Sequence, residues 1–144
     1  MEIPVRVLRP DAVVPRVAHP GDAGVDLVAV EGRRLARGGG RALVPTGIAV
    51  AIPEGYGGLV LPRSGLASRH GVTCANAPGL IDAGYRGEVR VALVNLDPEE
   101  DYEVHAGDRI AQLVVVACAA LDFVARDELP ASTRGSGGFG STGR

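Results

Sequence analysis

The stretch GEVRVALVNL, residues 87–96, decides the fold. Val89, Val91 and Leu93 project to one face and Glu88 and Arg90 to the other, the period of a strand with one dry side. Working outward, similar short runs occur at IPVRVL (3–8), VDLVAV (25–30), GIAVAIP (47–53), GLVLP (58–62), DYEVH (101–105) and RIAQLVVVA (109–117). HPGDAG, RGGGR, PEGYGG, APG, DAGYRG, DPEED and HAGDR fall between them as turn signals. Many short strands at this spacing predict an all-β sandwich or barrel. RIAQLVVVA is apolar on both sides, which suits a strand central to the sandwich or pressed against another subunit. Only SGLASRHG (64–71) reads as helix, with Ser64 as its N-cap.

Composition supports that reading. The 144 residues are 46% hydrophobic, with 21 Gly, 10 Pro and only 3% aromatics, so the apolar content is mostly aliphatic. A chain of this length makes one domain that buries roughly two-thirds of its unfolded surface. The net charge of -2 argues against a nucleic-acid partner, because general polyanion binding needs a surplus of Lys and Arg on one face. Cys74 and Cys118 sit apart in apolar contexts and read as buried small hydrophobes. The opening MEIPVRVLRP lacks a basic region followed by an apolar stretch, and no run of about 18 apolar residues occurs. The expectation is a soluble cytoplasmic protein with no membrane partner.

Polar residues within apolar runs carry the functional signal, because a buried charge needs a specific partner. Asp26 interrupts AGVDLVAV; it either bonds backbone N–H groups at the strand start or faces a hydrated metal ion. Gln112 is expected on the same face as Ile110 and Val114, where its amide could satisfy a loop or hold a phosphate oxygen. Arg63 and Ser64 bring a cation, a hydroxyl and helix-start amides to one place, either as an anion site or as an ordinary helix start. Asp82 and Tyr85 lie in GLIDAGYRGE, read as two short strands bent into a hairpin. There Asp82 could close a plain turn or take a proton from water. His19, His70 and His105 lie in loops without partners at metal spacing, and no phosphate loop, GxSxG or zinc pattern occurs.

The end of the chain, RGSGGFGSTGR (134–144), has too little apolar surface to offset its own ordering entropy, yet it holds one of only two phenylalanines. AGVDLVA (23–29), PRSGLA (62–67), NAPGLIDAGYRGEV (76–89), GDRIAQLVV (107–115) and RGSGGFGSTG (134–143) resemble, in this order, the five motifs of the homotrimeric deoxyuridine triphosphate nucleotidohydrolases, the dUTPases. The resemblance covers nearly the whole chain. It implies a jelly-roll-like β domain over residues 1–133 and a glycine-rich arm over 134–144. The implied assembly is a trimer with active sites between subunits. The implied reaction converts dUTP to dUMP and pyrophosphate with Mg²⁺, which limits uracil incorporation into DNA and supplies dUMP for thymidylate synthesis.

By the same resemblance Asp82 is the base acting on the water that attacks the α-phosphorus, and Asp26 meets Mg²⁺ through its waters. Arg63, Ser64, Gly65 and Gln112 hold phosphates. Gly79, Leu80 and Ile81, with the Asn76 amide, match the uracil edge, and Tyr85 lies beneath the sugar. Arg90 either is solvated or assists phosphate. In the arm Phe139 stacks on uracil, while Arg134, Gly140, Ser141 and Thr142 serve the phosphates. Two alternatives accompany this reading: a dCTP deaminase, for which Glu88 is the nearby carboxylate, and a noncatalytic nucleotide-sensing or protein-binding trimer.

Overall fold

The computed structural model describes residues 1–138. Phe139, Gly140, Ser141 and Thr142 therefore lie outside the described residues. Eleven strands and one helix occur in that span. In order they are β1 (Val5–Val7), β2 (Gly24–Val28), β3 (Arg33–Leu35), β4 (Arg41–Pro45), β5 (Ile48–Val50), β6 (Tyr56–Pro62), α1 (Ser64–His70), β7 (Val72–Cys74), β8 (Gly79–Ile81), β9 (Arg90–Asn95), β10 (Tyr102–Val104) and β11 (Arg109–Ala117).

Two larger antiparallel sheets form the body, one in the order β2-β11-β6-β8 and the other in the order β4-β9-β7. The pairs β1-β5 and β10-β3 complete the ladders. The core lies between the sheets. Leu27, Ile110 and Leu113 from the first sheet join Val44, Val91 and Leu93 from the second, all buried. Val89, Val91 and Leu93 are buried as their alternation requires, while Arg90 on the opposite face is exposed. β11 lies between β2 and β6 in its sheet; Ile110, Ala111 and Leu113 are buried, while Val114 and Val116 on its other face are half-buried.

Polar groups inside this core are satisfied. Asn95, fully buried, donates from Nδ2 to the carbonyls of Leu35 (3.2 Å) and Glu100 (2.8 Å) and accepts from the Asp97 amide at Oδ1 (3.0 Å). Thr46 Oγ1 donates to the Val89 carbonyl at 2.6 Å. Among the described residues no buried side-chain polar atom lacks a partner.

Several expectations are corrected. Ser64 is the first helical residue and not the cap: Arg63 occupies the N-cap with extended backbone and makes no side-chain capping bond. The helix ends where glycine is needed, at Gly71, whose φ of 62° is left-handed. GLIDAGYRGE does not fold as a hairpin, because β8 pairs with β6 while β9 pairs with β4 and β7, so the segment crosses from one sheet to the other. Cys74 is buried, which pushes its thiol up, but Cys118 is exposed because β11 has ended at Ala117. Residues 118–138 form no regular element, and Leu121, Phe123 and Leu129 in this stretch are exposed. Among the described residues no helix is long and apolar enough to cross a membrane.

Candidate functional site

The crossing from β8 to β9 builds a cavity of about 300 Å³. β8 is the outer strand of its sheet, and among the described residues no strand pairs with its far side. The main chain of Gly79–Ile81 therefore keeps donors and acceptors that the ladder does not use, and these residues line the cavity. Val60 of β6 lies behind, and Leu43 of β4 with Arg90, Val91 and Ala92 of β9 forms the other wall. Asn76 approaches closely enough that a Cβ on Gly79 would sit 3.3 Å from its Nδ2.

At one end of the cavity is Asp82. It is exposed, its carbonyl accepts from the Tyr85 amide at 3.0 Å, and among the described residues its carboxylate has no ion pair or hydrogen-bond partner. The side chain is therefore open to water and to a ligand, unlike a carboxylate spent on closing a turn. Tyr85 is held by its hydroxyl, which donates to the Glu88 carbonyl at 2.9 Å. Its ring lies over Gly87, where a Cβ would overlap the phenol. The Glu88 carboxylate is occupied: Oε1 accepts from the Gly47 amide and Oε2 from Arg90 Nε, each at 2.9 Å. It is thus tied to the fold and not poised over a base, which removes the carboxylate that a deaminase would need. Arg90, half exposed, carries that ion pair at the cavity wall.

A second group lies on the face of β2 and β11. Asp26 and Gln112 are direct cross-strand partners. The Asp26 carboxylate does not bond backbone amides at the strand start. Arg63 Nε lies 3.2 Å from Oδ1, Arg109 Nη1 donates to Oδ2 at 3.3 Å, and Gln112 Nε2 approaches Oδ1 at 3.5 Å. Arg63 Nη1 also donates to the Arg109 carbonyl at 3.1 Å. Ser64 and Gly65 follow Arg63 at the helix start. Gln112 shares its face with Val114 but not with Ile110, which is buried while Gln112 is exposed. The β2–β11 register shifts between Arg109 and Ala111, and that bulge turns Ile110 inward.

The structure thus gathers Asn76, Gly79, Leu80, Ile81, Asp82, Tyr85 and Arg90 at the cavity, and Asp26, Arg63 and Gln112 at the charge cluster. It does not bring Arg134 to either; that side chain bonds within its own turn, to the Gly137 carbonyl at 2.8 Å. Leu43 and Arg109 are site neighbours that the sequence reading missed, Leu43 because its strand sits beside a glycine run. No group of three or more metal-ligating side chains occurs among the described residues. The donor set offers a lone carboxylate beside cations, which fits an ion held mainly by phosphate oxygens and its own waters, not a protein cage.

These features define an all-β protein that opens a small-molecule cavity at a sheet edge, beside a separate arginine–carboxylate cluster. Solved structures share the architecture. The Staphylococcus bacteriophage 80alpha dUTPase with dUpNHpp superposes with a TM-score of 0.88 at 30% identity, over 99% of this chain and 99% of that one. A variant dUTPase from phage phi11 of S. aureus, described for its coordination of a structural Mg(II) ion, gives a TM-score of 0.82 at 29% identity over 89% and 98%.

The dUTPase family profile matches residues 11–143. The deoxyuridine 5'-triphosphate nucleotidohydrolase of Thermobifida fusca is 56% identical over 99% of this chain and 79% of that protein. That of Streptomyces griseus is 53% identical over 99% and 81%. The chain belongs to the dUTPase family.

Proposed function

We propose that this chain is a dUTP diphosphatase, hydrolysing dUTP to dUMP and pyrophosphate. The observation that carries this reading is the Asp82 carboxylate, without a partner among the described residues, beside the β8 edge that no described strand pairs. The relatives named for this reaction support it.

Uracil presents an acceptor, donor, acceptor edge. The main chain of Gly79, Leu80 and Ile81, with the Asn76 amide, offers complementary groups, so cytosine would leave some of them unpaired, a penalty that discriminates strongly. Tyr85, fixed by Glu88 and Gly87, supports the deoxyribose and leaves no room for a 2′-hydroxyl. Arg63, Ser64, Gly65 and Gln112 hold the triphosphate, with Arg90 assisting from the cavity wall. Asp82 takes a proton from a water directed at the α-phosphorus, and pyrophosphate leaves with the electron pair of the α–β bridge. Mg²⁺, when bound, supplies charge neutralisation on the phosphate oxygens. Asp26 is the residue that would hold the ion, through water.

The working unit is a trimer with sites between subunits, and the arm of residues 134–144 closes over bound nucleotide. Its Phe139 stacks on the base, a contact contributing on the order of 1–3 kcal/mol, and Arg134, Gly140, Ser141 and Thr142 reach the phosphates. Deleting 134–144 is expected to leave folding and assembly intact by sedimentation while activity collapses. A truncated enzyme as fast as the full chain would remove the arm from the reaction.

The decisive experiment combines Asp82→Asn with solvent labelling. The variant should bind dUTP in calorimetry yet release no pyrophosphate. In ¹⁸O water the wild type should place label in dUMP alone; label in pyrophosphate would mean attack elsewhere and sink the mechanism.

A further inference from the structure

Arg109 touches the charge cluster twice. Its guanidinium donates to Asp26 Oδ2 at 3.3 Å, and its carbonyl accepts from Arg63 Nη1 at 3.1 Å. Gln112, three residues on, approaches the other oxygen of the same carboxylate at 3.5 Å. Residues an odd number of positions apart project from opposite faces of a regular strand, so 109 and 112 should not meet one carboxylate. They meet because of the register shift between Arg109 and Ala111. Ile110 and Ala111 are consecutive and both buried, at 1% and 0% exposure, which is the signature of the extra residue. The bulge re-aims Arg109 onto the Asp26 face.

We propose that Arg109 is a positioning residue for the reaction. It holds Asp26 and Arg63 in mutual register, so that Arg63 can turn to phosphate without stranding the carboxylate. The proposal rests on the diphosphatase reading above. The Arg109 end of its pair with Asp26 is 60% exposed, and such solvent-open pairs contribute little to folding, so the Arg109 contact is better accounted for by placement than by stability. Asp26 is 22% exposed and has two cations within reach, Arg63 and Arg109. An arriving triphosphate competes with Asp26 for Arg63. With Arg109 in place the carboxylate keeps a partner during that exchange. Without it, Arg63 would be the one cation left on Asp26 and would stay there instead of engaging substrate. The Arg109 carbonyl, released toward Arg63 at the bulge, anchors the guanidinium at a second point.

The test is a double-mutant cycle between Arg109→Ala and Asp26→Asn, read by dUTP kinetics and, in an Asp82→Asn background, by calorimetric dUTP affinity at low and high Mg²⁺. Loss of such an outer partner should lower kcat/KM roughly ten- to hundredfold. The double variant should be no worse than Asp26→Asn alone, and Arg109→Lys should recover part of the loss. Calorimetry should show the same non-additivity. Arg109→Gln carries the same comparison should the alanine variant fold poorly. Losses that multiply would mean that Arg109 acts on phosphate independently of Asp26, and an Arg109→Ala rate equal to wild type would mean that it does nothing; either overturns the proposal. A wild-type chain that leaves dUTP intact would instead overturn the diphosphatase reading.

Discussion

Tyr85 is fixed by two backbone neighbours and not by a core. Its hydroxyl has the Glu88 carbonyl, and its ring has the empty side of Gly87. Gly87→Ala should therefore displace the ring while leaving the strands paired, lowering kcat/KM for dUTP by roughly 10- to 100-fold, as small misplacements at a site do. Steady-state kinetics beside an unchanged circular dichroism spectrum would check it. Asn95 shows the structural counterpart. Asn95→Leu would strand the Leu35 and Glu100 carbonyls and the Asp97 amide, costing at least about 1–3 kcal/mol in a denaturant titration. Asp26, Gln112 and Asp82 were legible in the sequence as polar interruptions of apolar or glycine-rich runs. Arg109 was not, since its meaning depends on a bulge that strict alternation hides. Asn95 continues the dry-face positions 89, 91 and 93 and was readable by the same alternation, but an asparagine beside the DPEED turn reads first as part of that turn.

The elements divide in the same way. Runs with a period of two, or compact apolar runs such as RIAQLVVVA, became β1, β2, β5, β6, β9, β10 and β11, each inside its expected limits or within two residues of them. The others, β3, β4, β7 and β8, are set by the strands they pair with. Arg33–Leu35 is mostly charged and Gly79–Ile81 is three residues in a glycine-rich stretch, so neither carries a local signal. The crossing between β8 and β9 was unreadable for the same reason: turn residues announce a bend but not which sheet receives the next strand. The stop of α1 was better encoded. Gly71→Ala would force a left-handed backbone at φ 62° and place a Cβ 2.8 Å from the Asp97 amide nitrogen. Thermal unfolding should report a loss of about 1 kcal/mol or more.

Across the molecule, charge ties loops to strands. Asp101 is held below its usual 3.8 by the Arg37 amide and then by Arg34, and Asp97 below 3.8 by the Glu100 and Glu99 amides. Glu31 lies below its usual 4.5 because Arg33 and Arg9 bond it. A folded-state value below the unfolded one means stabilisation that is present above the unfolded value and is lost as pH falls through the folded one. Asp101→Asn should thus lower the melting temperature at pH 7, and the gap to wild type should close as pH is taken well below 3.8. A gap that persisted in acid would mean that shape, and not charge, makes the contact.

The cavity beside Asp82 and the cluster around Asp26 draw on separate lining residues. An injury to one leaves the other chemically whole. Copies that share a site between them would therefore complement: Asp82→Asn chains, inert alone, and Asp26→Asn chains, slowed but still active, would give more turnover than the mean of the two parents when dissociated together and allowed to reassemble. Two impaired parents would yield a faster hybrid, with its yield set by the statistics of mixing.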